Sequence, residues 1–190
     1  MRCIMSSKDL LMEAALAILA RDGFDGVTIR KIADYCNLSV AAPYKHFKNK
    51  EDILRQSVGS MVEKWKIREA KIIARYSPDL REQLVRLAMD WIQFVLEKPA
   101  YAGLVLADRE YLPASITLPM DSMMDYSRDC LSRLTLTERW SHEKYLRTEY
   151  MFHALTDGAL RQLRSGQIKD SPPQRKIIQK CLRNCLENDF

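Results

Sequence analysis

Tyr44, Lys45, His46 and Lys50 place a phenol, an imidazole and two ammonium groups within seven residues. All of these groups donate hydrogen bonds, and donors grouped this closely suit the phosphate oxygens of a nucleic acid. Ala41 and Ala42 come just before them, small enough for the backbone to approach base edges by apolar contact, with Tyr44 able to add a hydrogen bond. The same residues on an unconstrained surface would be an ordinary solvated basic patch. Which of the two they are depends on the elements that hold them.

Those elements are legible in Thr28–Lys50, TIRKIADYCNLSVAAPYKHFKNK. Thr28 is placed to cap a helix in which Ile29, Ile32, Ala33 and Cys36 share one face. Asn37 tolerates the left-handed backbone that ends such a helix, and Leu38 is placed to pack under the turn. Ser39 then caps a second helix, with Pro43 in its first turn and Phe47 closing the apolar wedge. Asn49 caps a third helix, and Lys50 at its start adds a charge to helix N-terminal amides. Two short helices joined by a tight turn form a helix-turn-helix, the geometry that lays one helix in the DNA major groove. The candidate contact set is Thr28, Arg30, Ser39, Ala41, Ala42, Tyr44, Lys45, His46 and Lys50.

The run from Leu11 through the Gly23-Phe24 turn, Thr28, Ile32-Ala33 and Tyr44-x-His46-Phe47-x-x-Lys50 resembles the DNA-binding domain of the tetracycline-repressor (TetR) family. The resemblance covers about the first quarter of the chain. Cys36-Asn37-Leu38 stands where the family commonly has Ala-Gly-Val, and Ala42-Pro43 where it commonly has a small polar residue and an aliphatic one. The missing hydroxyl at Ala42 removes one possible DNA contact. The resemblance implies a transcription regulator, most often a repressor, that acts as a homodimer on a pseudo-palindromic double-stranded operator and carries a pocket for a small-molecule effector. It further implies that the last two long helices build the dimer, and Tyr150-Met-Phe-His-Ala-Leu-Thr-Asp-Gly158 is similar to a His-x4-Gly helix in part of the family.

Other chemistry finds little support. His142-Glu143 begins like a zinc-protease helix, but position 146 is Leu and the second ligand is absent. There is no phosphate-cradling Gly-rich loop and no Gly-x-Ser-x-Gly, so neither an enzyme nor a cofactor is expected. Cys3, Cys36, Cys130, Cys181 and Cys185 lack Cys-x-x-Cys spacing and read as free thiols. Cys181 and Cys185 share a helix face, open to a redox or metal reading or to plain apolar packing.

The expected fold is all-α with about nine helices: a head over residues 1–50 and a helical effector-binding and dimerisation body over residues 51–190. A content of 47% hydrophobic residues supplies a core, and six Gly with seven Pro leave little room for a turn-rich β fold. Helices are expected over 7–22, from Asn49 to about Ser77-Pro78, from Asp79 to Pro99, over 101–107, to about Leu134, over 138–165, and from Pro172, with 111–120 a loop.

The net charge of +5 is mildly basic, and residues 1–50 hold eight Lys and Arg against five Asp and Glu, so motif placement outweighs bulk charge. No long uncharged apolar run predicts a membrane span, and no signal-peptide core follows Met1, so the expected location is the bacterial cytoplasm, at the nucleoid when bound to an operator. Met5 offers an alternative start.

Trp91, Phe94, Tyr101, Met120, Met123, Met124, Tyr126 and Phe152, with Trp140 and Tyr145, are either a solid core or the lining of a pocket for an apolar or amphipathic effector. His153 and Asp157, with Ile178 and Leu182, are the candidate dimer contacts. The rival expectation is a ligand-independent helical adaptor that keeps the head and has a packed body.

Overall fold

The computed structural model describes residues 6–107 and 109–187; Cys3 and the alternative start at Met5 lie outside the described residues. The described residues are all-α, with no strand among them. They cluster into two compact units, one made of 6–64 together with the described residues of 97–122, the other of 65–96 and 123–187. The division falls within one long helix, later than the expected boundary at residue 50.

In the first unit, α1 (Ser7–Gly26) starts at a capping box in which Ser6 and Asp9 satisfy each other's backbone amides. Gly23 breaks it with φ 72°, a left-handed value that a side chain rarely adopts, so the expected stop at Gly23 is a kink in the chain. The short α2 (Ile29–Tyr35) follows, and the long α3 (Lys50–Tyr76) begins at Asn49. Leu11, Ile18, Ile32, Ile53, Leu54 and Met61 are fully buried and form the core of this unit.

The helix α5 (Pro99–Val105) packs on α1 at Gly103, where a Cβ would sit 2.0 Å from that of Ala20. Only glycine permits that approach. The expected loop over 111–120 is instead a helix, α6 (Ala114–Asp121), with Pro119 inside it. Pro113 supplies the preceding turn, its carbonyl accepting from the amides of Ile116 and Thr117. Buried Ile116 and Met120 then anchor the segment, and their packing outweighs the one hydrogen bond that Pro119 cannot donate.

The second unit holds the last part of α3 with α4 (Leu80–Leu96), α7 (Asp125–Glu138), α8 (His142–Ser165) and α9 (Pro172–Glu187). Here α4 packs against α7, α8 and α9. Glu138 ends α7 instead of starting α8. Arg139 turns the chain with a left-handed φ of 55°, and Ser141 caps α8 by accepting from the Lys144 amide. No helix among the described residues is long and apolar enough to cross a membrane.

Candidate DNA interface and effector cavity

Each end of the helix-turn-helix is fixed by a short-range interaction. The Thr28 hydroxyl accepts from the Lys31 amide at 3.2 Å, and α2 ends where Asn37 adopts φ 55°. Lys31 also donates to Asp22 at 2.9 Å, and the hydrogen bonds from Arg21 and Lys31 hold the Asp22 carboxyl well below the usual range. Downstream, Asn49 Oδ1 accepts from the Asp52 amide at 2.9 Å while Asp52 accepts from the Lys48 amide at 3.0 Å. That backbone hydrogen bond is the first cause of the lowered Asp52 pKa.

Between these anchors the expected second helix is not α-helical. Pro43–Lys45 form one 3-10 turn, preceded by a bond from the Ala42 amide to the Ser39 carbonyl at 2.9 Å. Pro43 has no N–H to return to Ser39, so the winding tightens to i→i+3 bonds before one i→i+4 bond, Phe47 to Pro43, closes it. Ser39 takes part through its carbonyl, and the turn has no side-chain cap.

The turn buries Pro43 and Phe47 and leaves Ser39, Val40, Ala41, Tyr44, Lys45 and His46 exposed, with Ala42 half-buried. Tyr44 is 58% exposed, a large apolar ring that the core does not claim. His46 lies 3.1 Å from the Ser7 hydroxyl through Nε2, which fixes the imidazole against the start of α1. Thr28 and Arg30 are exposed at the start of α2, with Arg30 3.9 Å from Asp34. Lys50 departs from expectation. Its ammonium donates to the Phe24 carbonyl at 3.3 Å and lies 4.5 Å from the Phe24 ring centre, so it ties α3 to the end of α1.

A family model described as bacterial regulatory proteins, tetR family, matches residues 11–56. Residues 11–56 thus carry a DNA-binding head of the TetR type. This head is 37% identical over 51 residues to IcaR, a negative transcriptional regulator of the icaADBC biofilm operon in Staphylococcus epidermidis. That match spans 27% of this chain and only 28% of IcaR. The TetR-type architecture extends much further than the sequence match. A TetR family transcription regulator of Marinobacter aquaeolei is similar with a TM-score of 0.74 over 94% of each chain, at 16% identity. The fatty acid degradation regulator FadR of Bacillus halodurans is similar with a TM-score of 0.74 over 97% of each chain, at 15% identity.

The expected effector set divides between the units. Tyr101 and Met120 are buried in the first unit. Trp91, Met123, Met124 and Phe152 meet in the second, around a cavity of about 30 Å³. Phe94 lies behind them, its ring 6.0 Å from that of Trp91, and the Tyr126 hydroxyl donates to Gln83 at 2.7 Å. Burial pushes the Tyr126 phenol up to about 12. Neither Phe94 nor Tyr126 lines the cavity. Trp65 and Glu69 do, and the sequence reading missed them as lining residues, although they continue the α3 stripe from Met61 at four-residue steps.

The cavity is polar at specific points. Trp91 Nε1 is buried without a hydrogen-bond partner among the described residues. Glu69 accepts from Lys66 at 2.9 Å, yet burial raises its carboxyl above the ordinary value. His153 and Asp157 line the same space, and burial lowers the His153 imidazole. The pair therefore belongs to the cavity wall. Ile178 and Leu182 are core residues, 7% and 0% exposed, so they are not free for a partner subunit. The apolar side chains that α8 and α9 leave exposed include Leu146, Tyr150, Ile177 and Cys181. Cys185 turns inward and burial raises its thiol to about 11, which separates it from exposed Cys181.

Proposed function

We propose that this protein is a homodimeric repressor that grips operator DNA through the head of residues 1–50 and releases it when a small apolar or amphipathic effector enters the body of residues 51–190. The observation that carries the reading is the exposure of Ser39, Val40, Ala41, Tyr44, Lys45 and His46, held at both ends by caps and making no ion pair among the described residues. Tyr44, Lys45 and His46 contact phosphate, Arg30 and Thr28 flank them, and Ala41 and Ala42 approach base edges. Lys50 acts through the position of α3. Leu146, Tyr150, Ile177 and Cys181 form the dimer contact, which sets two heads one or more helical turns of DNA apart.

An effector that prefers one separation of the heads must weaken operator binding, and the operator must weaken effector binding equally. The donor at Trp91 Nε1 and the acceptors at Glu69 and Asp157 would orient it. A cavity of about 30 Å³ admits one water, so the effector must part the walls that it binds. The same tightness favours a second reading, an adaptor whose packed body answers to a protein partner.

Titrating the protein against its own upstream intergenic DNA by fluorescence anisotropy tests the DNA reading. Binding should be sequence-preferring, with two chains per site and steep salt dependence. Lys45→Ala in both protomers should lower the salt slope by about 2. Equal affinity for random DNA at both salt concentrations would remove the repressor reading. Tryptophan emission that is unmoved by n-octanol and n-octylamine, at concentrations that leave the fold intact, would favour the adaptor.

A further inference from the structure

We infer that a groove in the second unit, between α3, α4 and α9, binds a small phosphate-bearing anion. The groove encloses about 350 Å³ and is lined by Lys71, Arg75 and Tyr76 of α3, Arg86 and Met89 of α4, and Arg175 of α9. Four basic side chains from three helices thus face one space, a size suited to a small ligand, with Arg86 and Arg175 each ion-paired from behind, to Glu82 and Asp170.

The acidic groups around it are already engaged. Asp90 accepts from Arg68 twice, at 2.7 and 2.8 Å. Glu82 accepts from Arg86 at 2.6 Å and is shared with Arg183. Asp170 accepts from Arg175 at 2.6 and 2.7 Å. Lys71 and Arg75 have no acidic partner among the described residues, and they stand four residues apart on one face of α3, where like charges repel. A bound dianion would relieve that repulsion.

The geometry is also prepared for a ligand. The Tyr76 ring holds two guanidinium groups, with Arg86 at 5.3 Å and Arg75 at 5.7 Å from its centre. Planar guanidinium forks with donors to spare match the oxygens of a phosphoryl group better than a lone lysine does. Ile72 and Met89 add an apolar wall, so the ligand carries an apolar portion beside its phosphate, and Gln93 with the Arg68-paired Asp90 completes the lining. The favourable charge of a cation near the end of a helix accounts for Arg75, which lies in the last turn of α3. It does not account for Arg86 and Arg175 facing the same groove.

Isothermal titration of the full chain with sodium pyrophosphate tests the site. One saturable site per chain is expected. Lys71→Gln with Arg75→Gln should weaken it about tenfold or more, while Arg161→Gln with Arg164→Gln, exposed on α8, should change it less than about twofold. All four positions are at the surface, and thermal unfolding checks that both variants fold. Absence of a saturable site, or equal weakening in both variants, overturns the proposal. So does a Lys71→Gln, Arg75→Gln protein that loses affinity for DNA in proportion to its loss for pyrophosphate, which would make the groove part of a DNA path.

Discussion

Two turns in this protein share a backbone value and differ in everything the sequence says about them. Asn37 and Arg139 both adopt φ 55°. Asn is one of the few side chains that tolerate that region, so the turn of the helix-turn-helix announces itself. Arginine carries no such signal, and the break between α7 and α8 is expected over 135–137, a few residues before the structure places it. The difference extends to the two regions around them. The head is built from local devices such as caps, a left-handed residue and a proline, whereas the body is built from packing between distant helices.

The two regions can be set against each other at Leu182. Its place on the apolar face of α9 is equally compatible with an interface or a core, and the structure buries it completely. Leu182→Ala should therefore cost about 2–5 kcal/mol of folding stability, read as a lowered midpoint in urea unfolding. Tyr150→Ala, at a site 75% exposed, should change that midpoint by less than about 0.5 kcal/mol and instead weaken self-association in sedimentation. An unchanged midpoint for Leu182→Ala would return the residue to the interface and undo the contrast.

The head offers a sharper and smaller test, because Lys45 and Lys50 look alike in sequence. Lys45 is exposed on the 3-10 turn, whereas Lys50 bonds to the Phe24 carbonyl and lies over its ring. Lys45→Ala should weaken DNA binding about tenfold and leave unfolding unchanged, since a phosphate contact serves only the complex. Lys50→Ala should lower stability by about 1 kcal/mol, through loss of the carbonyl bond and the ring contact. If Lys50→Ala weakens DNA binding as much as Lys45→Ala, the direct phosphate contact expected from sequence stands.

How far the sequence reaches follows from the same contrast. Thr28, Asn37 and Asn49 all act within a few residues of themselves, and the structure places each at the boundary its chemistry implies, whereas Gly23 kinks α1 where a stop was expected. Pro43 was legible as a constraint but not in its full consequence, since the tightening to a 3-10 turn depends on the lost bond to Ser39. Pro113 and Pro119 suggested a loop because the burial of Ile116 and Met120, which stabilises α6, is a tertiary fact. The aromatic and methionine set reads as a core or as a pocket lining. Its division between two units was not visible, because periodicity assigns a face to each helix and says nothing about which helix it meets.

The smallest expected effect returns to the two turns. A non-glycine residue in the left-handed region costs about 1–2 kcal/mol, and asparagine recovers part of that through local hydrogen bonding. Glycine removes the strain but adds about 0.4–1 kcal/mol of unfolded-state entropy to be lost on folding. For Arg139→Gly the first term is the larger, and a gain of about 0.5–1 kcal/mol is expected in thermal or urea unfolding. For Asn37→Gly the two nearly cancel, so a change within about 0.5 kcal/mol is expected. Equal gains at both sites would mean that Asn37 is as strained as Arg139. The turn of the helix-turn-helix would then owe its shape to the packing around it, as the α7–α8 turn does, and the contrast between a locally specified head and a packed body would fail at the residue where it is drawn most clearly.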